Sequence, residues 1–250
     1  MSEFLNEKSN QDKQIPSAEH QAQAGLQLER IVFLGRTFEE YSSMFNLTIP
    51  ELNHKKILDC PGGACSFSAQ AAKHGADTTA ADIAYYFAGD DLYHKGRSDI
   101  DHMLISMETA RDRYDWSLMR HPQHLAEVRL SALEQMVQDR RAFPQRYIAA
   151  QLPQLPFANQ EFDLTLSAHF LFLYADRLDR DFHIATLREL MRVTANELRI
   201  FPLVTLEGHP VEYRQDVVEI AGEGQWVSQV QPTNYRFQQG AHELLILRRR

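Results

Sequence analysis

A glycine turn after one apolar segment and an aspartate after the next are the features of this sequence best suited to binding a small molecule. Segment 56–60 runs into Pro61, Gly62 and Gly63, and the following apolar segment ends at Asp82. Glycine has no Cβ, so the backbone of such a turn can pass close beneath a ligand. A carboxylate at the next strand end can accept hydrogen bonds from both hydroxyls of a ribose. Each feature alone fits a tight turn or a solvated strand end equally well, but their order and spacing together indicate a nucleoside site.

The elements that must position these residues alternate along the chain. Apolar segments of strand length span 56–60, 78–83, 146–151, 162–167, 197–204, 226–230 and 244–247. Apolar residues at helical spacing predict helices at 66–74, 179–194 and 211–221. This alternation predicts an α/β fold, a doubly wound and mostly parallel seven-stranded sheet with helices on both faces. Ligands of such sheets bind beyond the carboxyl ends of the strands.

The stretch between the second and third predicted strands is unusually long. It holds about sixty residues, more than one crossover helix requires. Two helical stripes occupy it, one from Ile100 to Met107 and one from Leu125 to Met136. We therefore expect a helical insertion at about 91–145, packed over one end of the sheet.

Composition and charge exclude some classes of protein. The chain has 34 acidic and 26 basic residues, a formal net charge of −8, and a negative surface repels phosphate backbones, so general nucleic-acid binding is not expected. No apolar run is long enough for a membrane span, and residues 1–29 are expected to form a polar, mobile leader. Cys60 and Cys65 are expected to stay reduced, which indicates a cytoplasmic protein.

The order of these features resembles that of the class I S-adenosylmethionine-dependent methyltransferases over roughly residues 30–250. Segment 57–66 is similar to the first motif of that family, and segments 151–157 and 162–164 are similar to its third and fourth motifs. Pro61 and Cys65 depart from the family, because they replace glycines of its G-x-G-x-G pattern. The resemblance implies a methyltransferase domain at 30–250 with S-adenosylmethionine as cofactor.

The resemblance also implies which residues contact the cofactor. They are Arg36, Tyr41, Asp59, Pro61, Gly62, Gly63, Asp82, Ile83, Gln151, Leu152 and Ser167. Among them, Asp82 corresponds to the ribose carboxylate and Gln151 to the residue at the adenine amino group. Arg36 could pair with the carboxylate of the methionine moiety, and Tyr41 could face the sulfonium through a cation–π contact. Tyr41 simply packing on the sheet and Arg36 lying on the surface remain open alternatives.

The transfer step leaves few roles for side chains, because the cofactor carries the reactive group. His169 follows the fourth predicted strand and is the candidate general base, since imidazole titrates near neutral pH; shaping the pocket is its alternative role. The insertion is expected to select a small-molecule acceptor, and Met103, Met107 and Met136 form either an adaptable apolar pocket or ordinary helix core.

Two other functions remain open. A non-catalytic, nucleoside-binding partner module would share the fold without the chemistry. A nicotinamide-dependent oxidoreductase would need the G-x-G-x-x-G turn, which segment 61–66 does not supply.

His121 and His124 have ligand spacing but lack clustered acidic partners, so no metal site is predicted. The oligomeric state cannot be derived from the sequence.

Overall fold

The computed structural model describes residues 32–250, so the predicted leader at 1–29 lies outside the described residues. The strands in this range are β1 Lys56–Asp59, β2 Asp77–Asp82, β3 Tyr147–Ala149, β4 Phe162–Ala168, β5 Thr194–Phe201, β6 Trp226–Pro232 and β7 Glu243–Arg249. They form one sheet in the order β3-β2-β1-β4-β5-β7-β6. Strands β1 to β5 pair in parallel, and β7 pairs antiparallel with β5 and β6. The predicted mostly parallel, seven-stranded sheet is confirmed.

Helices cover both faces of the sheet. They are α1 Phe38–Met44, α2 Ile49–Leu52, α3 Phe67–Lys73, α4 Gly89–Thr109, α5 Trp116–Met119, α6 Pro122–Ala142, α7 Arg180–Val193 and α8 Arg214–Gly222. One apolar cluster joins α1, α3, α4 and α6 to one face, and a second joins α7 and α8 to the other. Strand β7 shows the division directly, because Leu244 and Ile246 belong to the first cluster and Leu245 and Leu247 to the second.

The fifth strand begins at Thr194, whereas the sequence predicts a start at residue 197. Helix α7 ends at Val193, and Thr194 pairs with Phe162 at once. The Thr194 hydroxyl lies 2.6 Å from the Leu190 carbonyl oxygen and 2.6 Å from the Thr165 hydroxyl. These two contacts satisfy a fully buried hydroxyl at the helix end, so the chain enters the sheet without a loop.

Helices α4, α5 and α6 lie between β2 and β3, where the sequence predicts an insertion. Helix α4 packs closely against α6 because Gly96 has no side chain; a Cβ there would lie 2.7 Å from Cδ2 of Leu133. The insertion covers the face of the sheet that also carries α1 and α3, and only part of it reaches the carboxyl ends of the strands. None of the helices between residues 32 and 250 is long and apolar enough to cross a membrane.

Candidate functional site

A cavity of about 450 Å³ lies where the parallel strands end. Its wall includes Pro61 after β1, Asp82 at the end of β2, His169 after β4 and Phe201 at the end of β5. The sheet order reverses between β1 and β4, and this switch point is where open α/β sheets bind their ligands. The cavity therefore occupies the position that the sequence predicts for a small-molecule site.

The glycine turn needs both of its glycines, for different reasons. A Cβ on Gly62 would lie 2.8 Å from the Tyr85 hydroxyl oxygen and 3.0 Å from Cβ of Ala80, so the turn is packed tightly from below. Gly63 has a φ of +50°, and a Cβ there would have only the Asp82 Oδ2 atom within 4 Å, at 3.9 Å. Gly63 also lines the cavity, so a side chain would take up space that a ligand could fill.

Asp82 anchors the turn from the neighbouring strand. Its Oδ2 atom accepts a hydrogen bond from the Gly63 N–H at 2.8 Å, and its Oδ1 atom accepts one from the Ala84 N–H at 2.8 Å. Burial raises the pKa of Asp82, and the two backbone hydrogen bonds only partly offset this. Each carboxylate oxygen can accept a further hydrogen bond. Asp82 and its neighbour Ile83 both line the cavity.

The segment before α1 lies directly across this turn. The Arg36 N–H donates to Sγ of Cys65 at 3.3 Å, and the Ser66 N–H donates to the Arg36 carbonyl at 3.0 Å. A Cβ on Gly35 would overlap the carbonyl oxygen of Ala64, so only glycine allows this crossing. Sequence reasoning missed Gly35, because its role depends on a contact with Ala64, which is distant along the chain.

Arg36 projects its side chain into the cavity. Its Nη1 atom makes two long hydrogen bonds of 3.4 Å to the carbonyls of Leu34 and Gly35, and its buried Nε has no partner among the described residues. A buried donor without a partner is costly. The arrangement is therefore suited to an anionic ligand group.

His169 occupies the wall after β4. Its φ is +51°, and its N–H donates to the Phe201 carbonyl at 2.6 Å. The Nδ1 atom is buried and has no partner in the described part of the chain. Burial, together with the positive charges of Arg36 and Arg129, holds the pKa of His169 well below its ordinary value. The sequence argument relied on a pKa near neutrality, and the structure corrects that point.

Tyr41 and Asp59 lie behind the turn, outside the cavity wall. Tyr41 is fully buried, stacks on Phe67 with ring centroids 4.8 Å apart, and donates to Asp59 Oδ1 at 2.9 Å. Burial raises the pKa of Asp59 well above its ordinary value; the Tyr41 hydrogen bond opposes this shift and the Asp82 charge adds to it. This position corrects the expectation that Tyr41 faces a sulfonium, because the ring is enclosed by the core.

Three other expected contacts also lie away from the cavity wall. Gln151 is exposed and bridges to Gln154, while Leu152 packs against the apolar cluster of the α7 and α8 face. Ser167 is buried within β4, and the next residue, Ala168, lines the cavity instead. Side chains alternate between the faces of a strand, so Ser167 and Ala168 face opposite sides of the sheet. The expected cofactor contacts of Ser167 and Gln151 therefore stay predictions that the cavity wall does not include.

A buried ionic network that the sequence did not reveal joins α1 to the insertion. Arg129 on α6 is 1% exposed and forms two hydrogen bonds with Glu40, at 2.6 and 2.9 Å. Glu40 also accepts from the Tyr235 hydroxyl at 2.8 Å and from the Thr37 N–H at 2.9 Å. Burial alone would raise the pKa of Glu40, but the charge and hydrogen bonds of Arg129 outweigh it and lower the pKa. Thr37 and Glu40 also form the capping box at the start of α1.

The outer wall of the cavity comes from the insertion and from the loop before β7. Tyr114 forms an antiparallel bridge with Gln238, and its ring lies 4.9 Å from that of Phe237. Met103 and Met107 line the cavity from α4. Met136 is instead fully buried in the core, so the expected methionine pocket has two members rather than three.

Two of the histidines in the insertion, His121 and His124, form a helix cap. The His121 ring accepts a hydrogen bond from the His124 N–H at 3.1 Å and so caps α6. Among residues 32–250, no group of three or more His, Cys, Asp or Glu side chains is placed to hold a metal ion.

The sheet order, with β7 inserted antiparallel between β5 and β6, is that of the class I methyltransferase fold. No protein-family model matches the chain. The chain is 31% identical over 225 residues to uncharacterized protein MJ0045 of Methanocaldococcus jannaschii, an alignment that covers 90% of this chain and 99% of that protein. The chain belongs to the family of that protein.

Solved structures of methyltransferases are similar to this chain at low sequence identity. Magnesium protoporphyrin IX methyltransferase (ChlM) of Synechocystis PCC 6803, solved with bound SAH, is 13% identical with a TM-score of 0.48, over 85% of this chain and 84% of that one. N-methyltransferase NodS of Bradyrhizobium japonicum is 14% identical with a TM-score of 0.45, over 85% and 94% of the two chains. A TehB-like SAM-dependent methyltransferase of Corynebacterium glutamicum is 15% identical with a TM-score of 0.44, over 93% of each chain.

Proposed function

We propose that the protein transfers a methyl group from S-adenosylmethionine to a small molecule. The observation that carries this proposal is a cavity at the switch point whose wall combines an open glycine turn, a strand-end aspartate and an arginine with a partnerless buried donor. Each of these groups matches one part of the cofactor: the backbone beneath it, the ribose hydroxyls and the methionine carboxylate.

The residues present fit the cofactor in the following way. Asp82 accepts the ribose hydroxyls with the lone pairs that Gly63 and Ala84 leave available. Gly62 and Gly63 keep the surface free of side chains, and Pro61 and Ile83 border it. Arg36 binds the methionine carboxylate through its unpaired Nε. The bound cofactor supplies an electrophilic methyl group, and the chain contributes alignment of the two reactants.

His169 is the residue that we propose to meet the acceptor. Its Nδ1 atom is buried on the cavity wall without a partner among the described residues, so it is available for a hydrogen bond with the methyl acceptor. An imidazole whose pKa lies well below its ordinary value is a weak proton acceptor. We therefore propose that His169 orients the acceptor and that proton removal is a minor part of its role.

A cytoplasmic location is also part of the proposal. Cys60 and Cys65 are both buried, free thiols, and unpaired cysteines are typical of reducing compartments.

Calorimetric titration with S-adenosylmethionine, S-adenosylhomocysteine and NAD tests the proposed function. We expect micromolar binding of both adenosyl ligands, no binding of NAD, and at least about tenfold weaker adenosyl binding by Asp82→Asn, because that change removes the bidentate charge. Asp77→Asn is the matched control, since Asp77 is exposed at the opposite end of the same strand. Absence of adenosyl binding in the folded wild-type protein would overturn the proposal.

A further inference from the structure

We propose that the methyl acceptor is an apolar small molecule carrying an anionic group, which is bound beside the cofactor with its anion at Arg177. This inference rests on the proposed function, since it takes the turn, Asp82 and Arg36 to be occupied by the cofactor. The remaining part of the cavity, here called the acceptor compartment, is lined by Met103, Met107, Tyr114, Leu125, Leu173 and Phe237, together with Tyr174 and Arg177 at its mouth.

The walls of the acceptor compartment are suited to an apolar molecule. Met103, Met107 and Leu125 come from the insertion, and Phe237 comes from the loop before β7. The Phe237 ring also lies 5.6 Å from that of Trp116, in an edge-on arrangement that holds this wall in place. Apolar walls with a few polar groups are typical of small-molecule sites, and methionine adapts to irregular shapes.

The charges around the compartment favour an anion. Asp82 already accepts two backbone hydrogen bonds, and the charge of Glu40 is matched by the bidentate contact with Arg129. Arg36 is taken by the methionine carboxylate under the proposed function. Among the described ionisable side chains of the cavity wall, Arg177 is therefore the cation left for the acceptor.

Arg177 lies where an acceptor would enter. Its guanidinium stands over the Tyr174 ring, 5.7 Å from the ring centroid, and its side chain is 65% exposed. The Asp176 carboxylate binds only Nε, at 3.2 Å, so both Nη groups are available within the described part of the chain. Exposed ion pairs of this kind contribute little, so a ligand anion can compete for the guanidinium.

The same charges disfavour a cationic acceptor. A protonated amine would meet Arg177 at the mouth and the sulfonium of the cofactor at the far end, with His169 uncharged between them. Like charges repel each other, most strongly towards the buried end of the cavity, where water screens them least. A neutral or anionic nucleophile avoids this repulsion, and an anionic group elsewhere on the molecule gains the contact with Arg177.

Two fluorescent probes with the same ring system test this inference. 8-Anilinonaphthalene-1-sulfonate carries an anion, and N-phenyl-1-naphthylamine is its neutral counterpart. Both are titrated into the full-length protein saturated with S-adenosylhomocysteine. We expect one molecule of the anionic probe to bind per chain, at least about fivefold more tightly than the neutral probe. Arg177→Gln should weaken the anionic probe about fivefold and leave the neutral probe unchanged, because it removes only the charge contact.

Arg188→Gln is the matched control, because Arg188 is also exposed and paired with a carboxylate, Glu223, but lies on α7 away from the cavity. Equal binding of the two probes, no binding of the anionic probe, or equal effects of the two arginine variants would each overturn the inference. Binding of S-adenosylhomocysteine is measured first by calorimetry. A failure of the proposed function is therefore seen separately, before any probe is added.

Discussion

Two partly buried side chains, Arg36 and His169, give the cavity its chemical character. Each has a nitrogen atom without a partner among the described residues, and each lines the cavity. Burial and the positive charges of Arg36 and Arg129 hold the pKa of His169 well below its ordinary value, so its imidazole is uncharged at neutral pH. The wall of the cavity therefore combines a fixed cation with an uncharged imidazole, a pair that can bind an anion and orient a nucleophile.

The lowered pKa of His169 makes a prediction about stability. An unfolded chain binds a proton at this position below about pH 6.5 and the folded chain does not, so folding becomes less favourable as the pH falls through that range. When the pH is lowered from 7.5 to 5.5, we expect the free energy of unfolding in urea to fall by about 1 kcal/mol less for His169→Asn than for the wild-type protein. Asparagine is the chosen substitute because it tolerates the left-handed backbone conformation.

His54→Asn provides the control for this prediction. His54 also has a left-handed backbone, with a φ of +60°, but its side chain is exposed. If both variants lose as much stability on acidification as the wild-type protein, the account of His169 is wrong.

Residue types and local spacing are enough to locate the turn and Asp82, because these features depend on neighbouring positions in the chain. The direction in which a side chain points is harder to obtain, as Tyr41 and Ser167 illustrate: both lie near the cavity and face away from it. Arg129 could not have been found, since its partner Glu40 is 89 positions away and a charged residue in a helix pattern usually faces solvent.

At the scale of elements, the site depends on three segments that converge over the strand ends. The segment before α1 is held by the turn and by Asp99 of α4, whose Oδ2 accepts from the Phe33 N–H at 2.7 Å. Helix α1 is held by Arg129 of α6, and the loop before β7 joins the same network through Tyr235. The amphipathic patterns predict each helix separately, but they carry no information about this convergence.

Breaking the contact between Glu40 and Arg129 should lower the free energy of unfolding more than breaking an exposed ion pair. Removing one partner leaves a buried charge unpaired, so we expect Glu40→Gln and Arg129→Met each to lower the free energy of unfolding by about 3–5 kcal/mol. The double variant should lose clearly less than the sum of the two, because it leaves no unpaired charge. Urea unfolding of all four proteins measures this coupling.

The exposed ion pair between Arg141 and Asp90 provides the comparison. Their side chains are 65% and 76% exposed, so Arg141→Met should change stability by less than about 0.5 kcal/mol. Strict additivity of Glu40→Gln and Arg129→Met would show that the buried contact does not hold α1 to the insertion.

For the whole molecule, the important fact is that the insertion shares its core with the sheet. Leu133 and Met136 of α6 belong to the same apolar cluster as Ile57 of β1 and Leu164 of β4. The alternation of strands and helices was sufficient to predict the doubly wound sheet, since it is a local pattern repeated along the chain. The approximate limits of the insertion follow from the length of chain between two predicted strands, but its place on the face of the sheet depends on packing between distant residues.

A shared core predicts that the insertion and the sheet unfold together. Leu133 is 1% exposed and packs where α4 and α6 meet at Gly96. Leu133→Ala should lower stability by about 2–5 kcal/mol. At about 2–4 °C per kcal/mol for a chain of this size, the whole calorimetric transition should move down by about 4–20 °C and remain single. Leu118→Ala, in the same insertion but 48% exposed, should shift it by less than about 2 °C. Two separate transitions, with Leu133→Ala moving only one of them, would mean that the insertion is an independent unit docked on the sheet, and the acceptor compartment would then lie at a boundary free to open.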